Sequence, residues 1–175
     1  MGTREEKLLQ LTDGIIGLDE IRERNGYPSE ERFKKGPVPI IECVEEIPCN
    51  PCETVCKRNL ILVGKPITNC PRLIDDEAEC TGCAQCIMIC PGLAIFIVDK
   101  TFSETEASVS LPYEQVPLPE RGERIEGINR SGEVVCEGYV HSILTSERCN
   151  KTNVVTIVIP KEFADDVRYF WRNET

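Results

Sequence analysis

The amino-acid sequence predicts an α+β fold in which a small cysteine-rich module lies between a short N-terminal helical arm and a C-terminal antiparallel β domain. Most of the 11 cysteines fall in two runs within residues 38–105. Residues 4–24 have apolar side chains at near-helical spacing, and from residue 106 onward short apolar segments alternate with polar residues. The predicted units are therefore residues 1–37, 38–105 and 106–175.

The second cysteine run defines the chemistry of the central module. Cys80, Cys83, Cys86 and Cys90, followed by Pro91, have the spacing C-x2-C-x2-C-x3-C-P. Bacterial-type two-cluster ferredoxins bind iron–sulfur clusters with this run, and its fourth cysteine binds the other cluster. The run therefore predicts a second set of cysteines elsewhere in the chain.

An internal repeat supplies that second set. A shift of 34 residues places Cys49, Cys52 and Cys56 on Cys83, Cys86 and Cys90, and the apolar residues 60–63 on residues 94–97. The match fails at Glu46, which takes the place of a cysteine. The nearest thiol is Cys43, so the first run is C-x5-C-x2-C-x3-C, with Lys57 where proline is usual.

The crossed pattern predicts two [4Fe–4S] clusters, each bound by four thiolates. One set joins three cysteines of the second run to the last of the first: Cys56, Cys80, Cys83 and Cys86. The other set is Cys43, Cys49, Cys52 and Cys90. Cys43 is the predicted eighth ligand because it is the nearest thiol upstream of Cys49. Cys70 competes for this role, and Glu46 competes less well because carboxylate is a less usual ligand for a cubane.

Zinc is the alternative metal. Paired C-x2-C motifs also form tetrahedral zinc sites, and a single C-x2-C can form a redox disulfide. A tetrahedral zinc site requires two pairs of thiolates. It does not require that four cysteines lie in one run that ends in Cys-Pro. Two such runs in register favour iron–sulfur clusters, and a zinc-stabilised interaction module remains the less favoured reading.

Composition limits the classes of partner and the cellular location. The net charge of −10 argues against nucleic acid, whose binding depends on basic patches. No apolar run approaches the roughly 20 residues of a membrane helix, and the N-terminus lacks the order of a signal peptide. Clustered cysteines in such a chain indicate a metal-binding, cytoplasmic protein. Cys70, Cys136 and Cys149 are left without a predicted role.

The two flanks show no recognisable chemistry. Ser29 is a predicted helix N-cap, and the arm around it would pack either on another subunit or on the module itself. Residues 129–132 predict a hairpin turn between strands of a small, partly open barrel. A last short helix is predicted from residue 160, with Phe163, Val167 and Phe170 on one face. The only histidine, His141, is predicted to lie on the surface.

Residues 36–53 together with residues 90–96 resemble the ferredoxin-type subunit of flavin-dependent amino-acid dehydrogenase complexes, of the proline and hydroxyproline type. The resemblance covers roughly residues 27–170, including residues 160–164 in the β tail. It implies partner subunits that contain FAD and, in some complexes, a small [2Fe–2S] subunit. The displaced Cys43 departs from a simple ferredoxin but is usual in this family.

These observations predict a non-catalytic electron-transfer subunit of a hetero-oligomeric oxidoreductase. It would relay electrons one at a time between a partner flavin and an acceptor. The alternative is a free-standing ferredoxin that serves several enzymes. Cluster potentials span about −700 to +450 mV, so the sequence does not determine the direction of electron flow.

Overall fold

The structure is a computed structural model that describes residues 15–24, 26–44, 46–74, 79–145, 147 and 152–172. The described residues form four short α-helices, none of which is long and apolar enough to cross a membrane. They are α1 (Leu18–Arg22), α2 (Glu30–Phe33), α3 (Pro51–Val55) and α4 (Gln85–Ile89). The part of the predicted arm before residue 15 lies outside the described residues.

Nine strands form two antiparallel sheets in the described part of the chain. The strands are β1 (Val38–Ile41), β2 (Ile61–Leu62), β3 (Arg72–Leu73), β4 (Ile95–Asp99), β5 (Glu106–Tyr113), β6 (Arg124–Ile128), β7 (Val134–Leu144), β8 (Asn153–Pro160) and β9 (Tyr169–Arg172). Seven strands form one sheet in the order β1-β4-β5-β8-β7-β6-β9, and β2 pairs with β3. The predicted α+β class, with a few helices and a mostly antiparallel sheet, is confirmed.

The large sheet runs without a break from the cysteine-rich module into the C-terminal strands. β4, the second strand of the sheet, pairs with the edge strand β1 on one side and with β5 on the other. Ile97, for example, faces Pro39 in β1 and Ser110 in β5. The domain boundaries at residues 37 and 105 stay predictions, and the hydrogen-bonded sheet crosses the second of them.

The β1–β4 ladder has two apolar faces because successive side chains in a strand point to opposite sides. One face carries Val38, Ile40, Phe96 and Val98, which belong to the main core. The other carries Pro39, Ile41, Ile95 and Ile97. Ile95 and Ile97 pack in a second apolar cluster that includes cysteines of both runs. The ladder therefore separates the main core from the cysteine-rich region.

The main core fills the inner side of a curled sheet. Its residues come from strands at both ends of the sheet, β1 and β9, and from the strands between them. The ring of Phe170 in β9 stacks on Tyr113 in β5 at 5.4 Å between centroids. On the opposite face of β5, the Ser110 hydroxyl hydrogen-bonds the Thr156 hydroxyl of β8 at 2.8 Å.

A buried ion cluster connects the two ends of the curled sheet. Glu42 directly follows β1, Arg130 lies in the turn between β6 and β7, and Arg168 precedes β9. The Nε atoms of Arg130 and Arg168 donate to the Glu42 carboxylate at 3.0 and 2.5 Å. Burial raises the pKa of Glu42, but the two guanidinium groups outweigh it and hold that pKa below the ordinary value. The carboxylate therefore stays charged and links elements that are distant in sequence.

The short-range turn predictions hold. The Ser29 hydroxyl accepts a hydrogen bond from the Arg32 N–H at 3.1 Å and caps α2. In the β6–β7 hairpin, the Asn129 side chain accepts from the N–H groups of Ser131 and Glu133, both at 2.9 Å. Gly132 has φ of +82°, a conformation that favours glycine.

The predicted terminal helix is wrong beyond its first turn. Lys161–Phe163 form one 3₁₀ turn, and Tyr169–Arg172 form strand β9. Val167 and Phe170 are buried at a spacing that a helix would also give, but Phe170 points inward and Trp171 is 52% exposed. This alternation is that of a strand, and the aromatic residues favour one.

We expect Arg168→Gln to destabilise the fold by about 3–5 kcal/mol, because it removes one partner of a buried ion pair. It also leaves the carbonyl oxygens of Ala164 and Val167 without the donor they now have. The check is the urea midpoint of the anaerobic protein. Lys34→Gln is the control, since it breaks the exposed Lys34–Glu31 pair and should leave the midpoint unchanged. Equal midpoints for both variants would contradict the role of the ion cluster.

Candidate functional site

The two cysteine runs fold alike. Cys52 lies within α3, and Cys56 follows the end of that helix; Cys86 lies within α4, and Cys90 follows its end. The last cysteine of each run therefore lies at the far end of a short helix, away from the loop that holds the other cysteines of the run. The internal repeat is therefore present in the backbone, and the two short helices lie against each other.

The first cavity, site 1, gathers four cysteines from both runs. Its thiols are Cys43, Cys49, Cys52 and Cys90. Ile47 and Ile95 contribute apolar lining, and Asn69 comes from the loop before β3. That loop is tied to the first run because the Cys49 N–H donates to the Ile67 carbonyl at 3.2 Å.

The second cavity, site 2, gathers the other four predicted cysteines. Its thiols are Cys56, Cys80, Cys83 and Cys86. Leu60, Ile61 and Ile97 form its apolar wall, and Lys57 and Arg58 lie at its edge. Cys56 comes from the first run, just as Cys90 at site 1 comes from the second. The structure therefore brings the predicted residues together in the two crossed sets.

The electrostatics of the thiols follow the same grouping. Burial raises the pKa of Cys52 to about 11, with further contributions from Cys90, Cys43 and Cys49. Burial also raises the pKa of Cys86 to about 12, with contributions from Cys80, Cys83 and Cys56. Both thiols therefore carry protons at neutral pH in the absence of a cation. The two cysteines would release these protons when they bind iron as thiolate ligands.

Backbone N–H groups point at three of the sulfurs. The Sγ atoms of Cys56 and Cys90 accept hydrogen bonds from the N–H groups of Leu60 and Ala94, at 3.4 and 3.5 Å. These two pairs are equivalent in the 34-residue repeat. The Cys80 Sγ accepts from the Gly82 N–H at 3.4 Å. Hydrogen bonds to the sulfur ligands are one of the means by which a protein adjusts cluster potential.

A buried cation beside site 2 is a feature that the cysteine spacing gave no reason to expect. Arg32 is 1% exposed, and its described hydrogen-bond acceptors are the carbonyl oxygens of Gly36 and Pro37, at 3.3 and 2.8 Å. Burial raises the pKa of Cys80, and the charge of Arg32 opposes this rise. Among the described residues, Arg32 forms no ion pair with a carboxylate.

The remaining candidates lie apart from the two sites. Cys70 and Glu46 line an adjoining cavity that Cys43 also reaches, so Cys43 alone of these three lines site 1. Cys136 lies in β7, where burial raises its pKa to about 11. The rings of His141 and Phe102 pack in a T-shaped arrangement, with their centroids 5.2 Å apart. Cys149 lies outside the described residues.

The four thiols of each site line a cavity and do not converge on the position of a single metal ion. In the described part of the chain, no three histidine, cysteine or acidic side chains are arranged to hold a single metal ion. A [4Fe–4S] cubane presents a separate iron to each of four thiolates, so its ligands lie around the cluster. The donor set of four cysteines with apolar lining fits this group at both sites.

Comparison with protein families gives one match. The model described as "4Fe-4S binding domain" matches residues 73–96, which contain Cys80, Cys83, Cys86 and Cys90. No curated protein and no solved structure matches the chain. The chain thus contains a ferredoxin-type 4Fe-4S binding domain, and this domain supports an iron–sulfur electron-transfer role.

The position of Cys43 predicts different outcomes for two cysteine variants. Cys43→Ser should convert one cluster to a three-iron form or lose it, because a thiolate lining site 1 is removed. Cys70→Ser should leave both clusters intact, since Cys70 lines only the adjoining cavity. Iron analysis and electron paramagnetic resonance of the anaerobically purified variants measure this. Loss of a cluster in Cys70→Ser, with Cys43→Ser unaffected, would reverse the assignment.

Proposed function

We propose that this chain is the electron-transfer subunit of a flavin-dependent amino-acid or imino-acid dehydrogenase complex and holds two [4Fe–4S] clusters. The observation that carries the proposal is the crossed gathering of eight cysteines into two sets of four. The proposed ligands are Cys43, Cys49, Cys52 and Cys90 at site 1, and Cys56, Cys80, Cys83 and Cys86 at site 2. The family match covers the second run, and the repeat extends the same interpretation to the first.

The clusters, when bound, supply one-electron redox chemistry, and the chain supplies their environment. The thiols and the apolar lining of each site hold the cluster and exclude water. The N–H groups of Leu60, Gly82 and Ala94 place positive dipoles at sulfur. Arg32 places a buried positive charge beside site 2, where four thiolates and an iron–sulfur core would together be negative.

The proximity of the two sites supports a relay. Helices α3 and α4, which each contribute thiols to the sites, lie against each other. Ile95 lines site 1 and Ile97 lines site 2, and these residues are two positions apart on one face of β4. Electrons from a two-electron donor such as a flavin can therefore be accepted singly and passed between neighbouring sites.

A flavin-containing partner is the part of the proposal supported by the resemblance of residues 36–53 and 90–96. Exposed apolar side chains near site 1 agree with a contact there: Ile47 is 47% exposed and Ile67 43% exposed. The free-standing ferredoxin remains the second candidate, because the cysteine sites alone serve either role.

Anaerobically purified protein should contain about eight irons and about eight acid-labile sulfides, as two [4Fe–4S] clusters require. It should also show a broad visible absorbance that bleaches on reduction with dithionite. Metal analysis, sulfide determination and spectroscopy provide the measurement. Stoichiometric zinc without sulfide would overturn the proposal, and half the iron would restrict it to one cluster.

The dehydrogenase assignment predicts amino-acid-dependent reduction of the clusters. Full-length protein isolated anaerobically from its native cells should carry a flavin-containing chain, and a panel of amino and imino acids that includes proline should bleach the cluster absorbance. The same chain purified alone should not respond. In a complex that carries Cys86→Ser, the flavin should still be reduced by substrate, whereas transfer to an external acceptor should fall. A native chain that carries no flavin partner would favour the free-standing ferredoxin.

A further inference from the structure

The two cysteine sites differ in the charge of their surroundings. The described residues that line site 1 include no charged side chain. Site 2 has Lys57 and Arg58 at its edge, adjacent in sequence and both exposed. Neither forms an ion pair with another described residue. Two cations without a carboxylate partner among the described residues therefore lie beside one site of a chain whose net charge is −10.

Site 2 also contains the most exposed thiol of the eight predicted ligands. Cys83 is exposed, whereas Cys52 and Cys86 are buried and the other five predicted ligands are half-buried. Thr81, which also lines site 2, is exposed as well. An electron donor or acceptor that docks beside Lys57 and Arg58 would lie close to Cys83, the only exposed thiol among the described residues.

We propose that Lys57 and Arg58 form the docking point for a redox partner protein with a carboxylate-rich surface, and that electrons pass between that partner and site 2. The inference rests on the proposed two-cluster function. A small positive patch on a surface that is otherwise negative both attracts an acidic partner and sets the orientation in which that partner binds. The acidic remainder of the chain would repel the same partner elsewhere, so docking is directed to site 2.

Two cobalt(III) oxidants of opposite charge test this proposal without knowledge of the partner. The probes are tris(oxalato)cobaltate(III), a trianion, and hexaamminecobalt(III), a trication, each added at one equivalent to the reduced protein. In each reaction the cluster loses one electron and cobalt(III) gains it to become cobalt(II). Stopped-flow absorbance follows the rate at low and high ionic strength.

We expect the double variant Lys57→Gln, Arg58→Gln to react with the trianion on the order of tenfold more slowly than wild type at low ionic strength. Its reaction with the trication should become faster, and high salt should remove both differences. Poly-L-glutamate, a carboxylate-rich chain, should slow the wild-type reaction with the trianion and leave the double variant unaffected. Lys65→Gln is the matched control, because Lys65 is exposed but lines neither site.

Each outcome separates this inference from the function on which it rests. A wild-type protein without iron contradicts the proposed function itself. If the clusters are present and the double variant changes both rates in the same direction, the two cations act only on cluster potential and the docking role is wrong. Unchanged rates, or equal effects in Lys65→Gln, also overturn it. If the double variant loses its clusters, the single variants Lys57→Gln and Arg58→Gln take its place. Each should react more slowly with the trianion and faster with the trication, by smaller factors, and unchanged rates in both would refute docking.

Discussion

The alternation of side chains along the β1–β4 ladder is the constraint on which both halves of the structure depend. Phe96 and Val98 face the main core, whereas Ile95 and Ile97 each line one cysteine site. A slip of one residue in this ladder would exchange the two faces. Apolar residues on both sides would still be buried, but the positions of the two cysteine runs relative to the sheet would change. The register of one short strand pair therefore fixes the placement of the sites.

The C-terminal half is part of the support for the sites and not only an appendage. β5 pairs with β4, and the core beneath the ladder is completed by side chains from β5, β8 and β9. The Glu42 ion cluster adds a second connection between the C-terminal half and the sites. Its two arginines come from the far end of the sheet, and Glu42 directly precedes Cys43, a proposed ligand. A module cut after residue 105 would leave β4 without β5 and would expose Val98, so its cluster content would not report on the intact protein.

Sequence reasoning succeeded where spacing decides the structure and failed where distant strands decide it. The cysteine intervals, the capping Ser29 and the hairpin at Asn129 are local signals. The structure bears out the cap and the hairpin, whereas the assignment of the cysteines as cluster ligands stays a prediction. Continuity of the sheet through β4 and β5 depends on long-range pairing that no local pattern encodes. Val167 and Phe170 have a spacing that suits a helix, yet Phe170 lies in strand β9, where its ring stacks on Tyr113. The burial of Arg32 beside site 2 had no sequence signal, because a single arginine in a capped turn is normally exposed.

The cations around site 2 act by different routes because they differ in burial. Arg32 is shielded from water and has no carboxylate partner among the described residues; a buried charge in that position is costly unless an anion compensates it. A cluster bound by four thiolates is negative, so it would compensate Arg32 and be stabilised most strongly in its reduced, more negative state. Lys57 and Arg58 are in water, whose high dielectric constant weakens their effect on cluster potential, and salt at about 0.1 M screens that effect beyond about 10 Å. Their charges remain available to an approaching molecule, which displaces that water on contact. The buried cation therefore bears mainly on the potential of site 2, and the exposed pair bears mainly on which molecule reaches it.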